Sequence, residues 1–273
     1  MTTSRLGDAL RWRSALFRLA SKEIRVRYKS PVLGLLWALL VPLVMSLVLG
    51  FIFGRLVPVP MAGVPFTLFL IVAMFPWNCV QTTIVAATTS IQDNGSLVRK
   101  TGFPRQLIPG SIVLANLINF CFTLMVVCVI VWVSGVHVNK DMWLLPCAVL
   151  LQTALSLGLS LLVSAWQVQF RDTKYLVEMA LPLWFYLTPI IYPASTLETL
   201  GGWTRYAVLV NPMAGLVMLY RTALLGWPAA GTPSGVGLLV LFSWTLALTM
   251  VCLVIGWRTF RQGASVMADW VQG

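Results

Sequence analysis

Residues 30–54, SPVLGLLWALLVPLVMSLVLGFIFG, carry no charge and are bracketed by Lys29 and Arg55. As an α-helix this stretch would be about 37 Å long, enough to cross a ~30 Å hydrocarbon layer with some tilt. Charge-free runs also cover about 66–91, 107–134, 143–170 and 235–257. A soluble domain of 273 residues with 59% hydrophobic and 10% charged residues could not cover its own apolar surface. A bilayer removes that constraint, because lipid solvates the apolar faces and each helix pairs its own backbone groups. The chain is therefore read as an all-α integral membrane protein.

A further span starts near Leu176 and is punctuated by Pro182, Pro189 and Pro193 in LPLWFYLTPIIYP. Each proline removes a backbone donor and clashes with the preceding turn. The helix is predicted to bend and to end near Pro189–Pro193. Residues 206–220, YAVLVNPMAGLVMLY, are too few to span comfortably and are broken by Asn211-Pro212. They are predicted to form a re-entrant or interfacial pair of half-helices, flanked by Arg205 and Arg221 on the outer side.

The positive charges test this count. With six spans and both termini cytoplasmic, fifteen of the nineteen Lys/Arg residues fall in inside segments, leaving Arg55, Lys140, Arg205 and Arg221 outside. A seventh span would move Arg258 and Arg261 outside, so the asymmetry favours six. The expected organisation is a basic interfacial helix over 1–29, a six-span domain over 30–257 and a cytoplasmic tail over 258–273. The re-entrant region lies at 194–230. Eight Lys/Arg are spread through the first thirty residues, so no cleavable signal peptide is expected and the first apolar run serves as an uncleaved anchor.

Within the N-terminal segment, Leu6, Leu10, Phe17, Ile24 and Tyr28 recur at helical spacing. Arg11, Arg18, Lys22, Arg25 and Lys29 follow at an angle to them, while Trp12, Leu16 and Leu19 fall outside the stripe. A basic helix lying in the membrane surface fits the pattern, and a solvated arm that only sets topology is the competing reading.

Several function classes are excluded. The net charge of +11 sits at the ends of apolar runs, as a topology signal does, so nucleic-acid binding is not inferred. The five cysteines lie inside apolar runs without a CxxC pair, and His137 is the single histidine. A zinc site or a histidine-based triad lacks its residues. No GxxxxGK[ST] occurs, so ATP is not bound through a P-loop. The spans lack the interior ionisable groups of coupled carriers. Asp172 and Glu178 sit at a span edge beside Arg171 and Lys174. If the chain transports, its energy comes from another subunit.

The loop SIQDNGSLVRKTGFPRQLIP joins the second and third spans. Asp93, Asn94 or Ser96 is placed to cap a short helix, and Gly95 and Gly102 permit tight turns. Leu97, Val98 and Phe103 are apolar residues in a cytoplasmic loop and need a protein surface or the membrane interface to cover them. An ordinary solvated loop is the alternative.

Taken in order, the motifs Arg27-Tyr28-Lys29-Ser30 with Leu33-Gly34-Leu35-Leu36-Trp37, Asn94-Gly95-Ser96-Leu97-Val98-Arg99-Lys100 with Phe103-Pro104, Phe170-Arg171-Asp172, Thr188-Pro189-Ile190-Ile191-Tyr192-Pro193 and Asn211-Pro212 cover nearly the whole chain. This series resembles the permease subunit of ABC-2 type exporters, in the branch that moves O-antigen, capsular or teichoic-acid polysaccharide. The resemblance implies a bacterial inner-membrane homodimer with two copies of a separate ATPase, which holds the ATP and Mg. No cofactor is expected in this chain.

It also implies that Asp93 to Lys100 and Phe103, within a coupling segment at 92–105, meet that ATPase. The dimer would enclose a channel for a lipid-linked glycan. Arg25, Arg27, Tyr28 and Lys29 are then a candidate gate, their cations pairing with a phosphate or pyrophosphate linker. Trp77, Trp184 and Tyr186 are candidate channel-lining residues, since aromatic faces stack on the apolar faces of sugars. Gly50-x-x-x-Gly54 and the spacing of Ser156, Ser160 and Ser164 suit close helix packing, either across the dimer or within the chain. The alternatives are an ABC-2 permease for a drug or simple lipid, and a membrane-embedded glycan or lipid transferase. The transferase has only Asp93, Asp172, Glu178, Glu198 and His137 to draw on, with no recognisable pair.

Overall fold

Proline placement explains where many of the helices begin. Pro65 precedes one helix, Pro109 and Pro146 fall in the first turns of two more, and Pro212 opens a fourth. At these positions the missing N–H has no helical partner to lose. The computed structural model describes residues 2–28, 36–56, 64–99, 102–136, 140–196, 210–226 and 237–264. Its helices are α1 (Thr2–Tyr28), α2 (Leu36–Phe51, continued by a π-turn at Ile52–Leu56), α3 (Phe66–Asp93), α4 (Gly95–Val98), α5 (Leu107–Val133), α6 (Leu144–Gln169), α7 (Thr173–Leu187), α8 (Pro212–Leu225) and α9 (Leu238–Ala264). No strand occurs among the described residues.

Among the described residues five segments are long and apolar enough to cross a membrane: Leu36–Leu56, Phe66–Asp93, Leu107–Val133, Lys140–Gln169 and Leu238–Gly263. α7 has 15 residues, about 22 Å of helix, and falls short of that length. The proline-rich stretch ends it at Leu187, close to the predicted break. Residues 197–209 and 227–230 of the predicted re-entrant region lie outside the described residues. Its described part, α8, has 14 residues.

α3 is the axis of the bundle. Of its most apolar stretch 78% is buried, against 17% for the segments of α2 and α9. α5, α6 and α8 pack round α3, α2 lies along one flank of it, and α9 covers α6. One large apolar cluster runs through α3, α5, α6 and α8. A smaller one at one end joins Ile91, Val98, Ile108, Leu161, Val168 and Phe260.

Small residues are spent on contacts within the chain. An added Cβ on Gly158 of α6 would lie 2.7 Å from Leu253 Cα and 2.8 Å from the Cys252 carbonyl carbon on α9, and Gly256 faces Gly158 in return. Gly50 of α2 sits against Thr67, where a Cβ would come within 2.5 Å of the hydroxyl. Ser156, Ser160 and Ser164 are buried in α6. Of the two uses open to these small residues, Gly50 and the serine row serve packing inside one chain. Gly158 and Gly256 are the closest approach, 98 positions apart, and no short-range spacing marks them.

Gly158→Ala is expected to destabilise the bundle by about 1–3 kcal/mol, because its methyl meets backbone that has no rotamer to yield. Gly110→Ala, where a Cβ would meet only Leu16 Cδ1 at 3.6 Å, is expected to be neutral or stabilising. Thermal unfolding of the two variants in detergent compares them directly.

Candidate functional site

α1 packs along α5 and does not stand apart from the bundle. Trp12 meets Phe103 edge-on with ring centroids 6.1 Å apart. Leu16 lies over Gly110, and Ala20 is 1% exposed. These residues, with Glu23 and Arg27, follow at spacings of 4, 4, 3 and 4, which is one helical face. Phe17 of the predicted stripe is 48% exposed, with the Arg13 guanidinium over its ring, and the contact with α5 is made by residues outside that stripe. The helix has two apolar faces, and a single-stripe reading sees only one.

Arg27 continues the packing face, and although much of the residue is exposed its guanidinium reaches a buried group of the bundle. Its Nη1 donates to Asn116 Oδ1 at 2.6 Å. Asn116 lies nine residues into α5, roughly 14 Å from its start. Arg25 is exposed on another face and lines a surface groove with Phe17, Arg18 and Lys22. The side chain of Tyr28, and Lys29 altogether, lie outside the described residues.

The predicted coupling segment is tied to the same end of the bundle. Asn94 does not cap α4 with its side chain. Its Nδ2 donates to the Ser90 carbonyl at 3.0 Å, and its Oδ1 accepts from Lys22 Nζ of α1 at 3.0 Å. Asp93 accepts from Thr89 Oγ1 at 2.7 Å. Of the predicted turn glycines, Gly102 has φ +77°, and Gly95 starts α4 in helical conformation. Val98 is fully buried, and Leu97 and Phe103 pack on its cluster. Their cover comes largely from α1, α6 and α9 of the same chain. Ser96 and Arg99 remain exposed. Lys100 lies outside the described residues.

Gln167 binds the neighbouring turn to this end. Its Nε2 donates to the Arg171 carbonyl at 3.0 Å and its Oε1 accepts from the Lys174 amide at 2.7 Å. Gln92 Nε2 of α3 donates to the Gln167 carbonyl at 3.3 Å.

A groove of about 780 Å³ opens between α2, α3 and α7, lined by Arg27, Trp77, Gln81, Phe185 and Tyr186 among others. Trp77 is buried at its back, with Nε1 donating to Gln81 Oε1 at 3.0 Å. Trp184 and Phe185 each meet its ring at 5.5 Å. Tyr186 is 66% exposed at the rim. Trp184 turns away from the groove, and its Nε1 donates to Asn211 Oδ1 at 2.9 Å. A second cavity of about 440 Å³ shares Arg27, Val41, Asn78 and Thr82 with the first and reaches α5.

Residues 14–225 match the ABC-2 type transporter family. This chain belongs to that family. It is a multi-pass membrane protein. It is 32% identical to the O-antigen export system permease protein RfbA of Myxococcus xanthus, over 78% of this chain and 81% of that one. Two proteins of the same name from Klebsiella pneumoniae are each 29% identical, over 74% and 87% of this chain and 77% and 88% of theirs.

The family match ends on α8, which holds a residue that the sequence reading misplaced. Arg221 was expected to flank the outer surface, yet it is 0% exposed. Its Nη1 and Nη2 donate to the carbonyls of Pro189 and Ile190 at 2.6 and 2.7 Å, and its Nε to that of Phe69 at 3.3 Å. The guanidinium lies 3.2 Å over the Phe69 ring. Thr188, Pro189 and Pro193 prevent a regular continuation of α7, which leaves carbonyls without helical donors. Asn211 fastens the same break from the other end of α8, with Nδ2 donating to Thr188 Oγ1 at 2.9 Å and Oδ1 accepting from the Met213 amide at 3.0 Å. The available signal was a proline-broken helix end followed by an isolated arginine inside an apolar run.

Arg221→Met is expected to destabilise the protein by roughly 3 kcal/mol or more, since buried carbonyls lose their donors. Arg221→Lys is expected to recover less than half, because an ammonium cannot reproduce the planar fork. Thermal unfolding reads both, and hydrogen exchange should localise the loss to the amides around Thr188–Tyr192.

Proposed function

We propose that the chain is the transmembrane subunit of an ATP-driven exporter that moves a lipid-linked polysaccharide of the O-antigen kind from cytoplasm to periplasm. The observation that carries this reading is the likeness to O-antigen export permeases over 74–87% of the chain. The drug or simple-lipid alternative has no comparable support, and a transferase has no acid, base or nucleophile pair in the groove.

In this reading α7 is the fifth of six spans, α8 the inner limb of the re-entrant region, and both termini are cytoplasmic in the bacterial inner membrane. ATP and Mg belong to a separate ATPase, present in two copies. Exposed Ser96 and Arg99 form its contact, and buried Val98 and half-buried Phe103 pass the motion inward to α9 and α1. Arg25, Arg27, Tyr28 and Lys29 receive the phosphate-bearing end of the substrate.

Two copies of the chain complete the conduit. The exposed apolar faces of α2 (Val41, Met45, Val48) and α7 (Met179, Leu183, Tyr186) flank the groove. A second copy laid on these faces would close the groove into a channel walled by Trp77, Gln81 and Tyr186, aromatic faces alternating with hydrogen-bonding groups.

The decisive test is deletion of the reading frame in its host. Surface polysaccharide is expected to disappear and its lipid-linked form to accumulate inside, and the tagged chain is expected to co-purify with a Walker-motif ATPase. Unchanged surface glycan would sink the proposal. Joint reversal of Arg25, Arg27 and Lys29 to Glu is expected to abolish export while the protein still inserts, as judged by membrane fractionation. For the dimer, a single cysteine at Met45 or Leu183, with the native cysteines replaced, is expected to give an intermolecular disulfide on oxidation. One at Trp257, exposed on α9, is expected to stay monomeric on denaturing gels.

A further inference from the structure

We infer that the 440 Å³ cavity between α2, α3 and α5 is a specific binding site for a sugar phosphate head group, in which Arg27 takes the phosphate and Asn78 and Asn119 take the sugar hydroxyls. The inference rests on the export reading and locates, within one copy of the chain, where the lipid-proximal end of the substrate is recognised.

The cavity is unusual for its setting. Three positions on one face of α5 (Asn116, Asn119 and Thr123) and two on one face of α3 (Asn78 and Thr82) turn polar groups into it. Both helices are long apolar spans. Most of the other polar side chains in these spans are satisfied locally: Thr82, Thr83, Thr88, Ser111 and Thr123 donate back to carbonyls three or four residues earlier. The amides of Asn78 and Asn119 have no hydrogen-bond partner among the described residues, although Asn119 is only 8% exposed. An unpaired amide in an apolar medium is costly, so buried Asn119, with half-buried Asn78 facing the same cavity, points to a polar occupant.

The chemistry of the lining selects that occupant. Among the described residues no carboxylate lines the cavity, and the one charged side chain there is Arg27. Asn116 engages one Nη1 hydrogen of that guanidinium, which leaves donors for a bidentate contact with a phosphate. Each asparagine amide offers two donors and an acceptor, the complement of neighbouring hydroxyls. Trp37, Phe75 and Phe120 supply flat apolar walls for the faces of a sugar ring. The volume falls in the range of about 300–1,000 Å³ typical of small-molecule sites. Because Arg27, Asn78 and Thr82 also line the larger groove, a head group held here would have its glycan directed into that groove.

A phospholipid head group shares the phosphate but lacks the sugar, which separates the two sources. The purified full-length chain in phosphatidylcholine nanodiscs, with its ATPase, is titrated with farnesyl diphosphate bearing one N-acetylglucosamine, with farnesyl diphosphate alone, and with phosphatidylglycerol. Native mass spectrometry reads binding. The sugar-bearing lipid is expected to bind tightest. Asn78→Leu with Asn119→Leu is expected to weaken it about tenfold or more, the equivalent of lost hydrogen bonds to a buried polar ligand, and to leave farnesyl diphosphate unchanged. Arg27→Gln is expected to weaken both diphosphates. Thr123→Val, isosteric and less disturbing to folding, is expected to weaken the sugar-bearing lipid alone, by a smaller factor.

Wild-type affinity in both the leucine and valine variants would overturn the assignment. So would phosphatidylglycerol binding with the same asparagine dependence, which would make the site a general lipid contact. If deletion of the chain still abolishes export in either case, the export reading stands and this site falls. Asparagine-dependent binding with unaltered export in the deletion strain would instead remove the export reading and leave a sugar phosphate site.

Discussion

A proline-broken helix in an apolar bundle has to find donors for the carbonyls it strands, and in this chain one guanidinium supplies them. Arg221 reaches Pro189, Ile190 and Phe69 from α8, so three elements distant in sequence are held at one point. Its charge has Phe69 stacked on it and backbone oxygens around it. Burying an arginine without a carboxylate is expensive, and the cost is offset only if nearly every donor is used. The wall of the groove depends on this contact. Trp184 and Phe185 are positioned against Trp77 only while α7 ends where it does, and Asn211 repeats the fastening at the start of α8. The groove is therefore the consequence of a deliberate break in a helix, sealed from behind.

Much of this was legible in the sequence. Uncharged runs bounded by Lys or Arg located the five long helices to within a few residues, because lipid leaves no other option for the backbone. The prolines located the end of α7 for an equally local reason. The face of α1 that packs on α5 was not picked out, because Phe17 and Leu16 are both apolar and a one-dimensional pattern cannot say which of two apolar faces meets protein. Arg221 was misread for a related reason: position relative to a span sets a charge's expected side, while its partners are backbone carbonyls that no residue type advertises. The Gly158 and Gly256 crossing depends on two helices meeting at one register, which spacing within either helix does not encode.

The candidate site shows the same division. Two of the motifs that carried the family resemblance reach the groove, through Arg27 and Ile191. In the sequence Asn78 stands out only as a polar residue beside Pro76 and Trp77 at mid-span, and Asn119 drew no notice, since an asparagine in an apolar run is easily taken for a helix-packing contact. Only the arrangement of α3 against α5 brings them to a common cavity with Arg27.

The position of Arg27 also bears on how motion could reach the groove. α1 is attached to the rest of the chain at three kinds of contact along its length: the Trp12–Phe103 ring pair, the Lys22–Asn94 hydrogen bond and the Arg27–Asn116 hydrogen bond. The first two anchor it to the segment around α4, the last to the interior of the bundle. A helix transmits displacement along its axis with little loss, since stretching it means breaking backbone hydrogen bonds in series. Asn94 and Phe103 therefore cannot shift by much without either moving Arg27 or giving up a contact with α1. α1 therefore joins the segment that is exposed at Ser96 and Arg99 to the cation that lines both cavities, and Leu16 packs over Gly110 between these contacts.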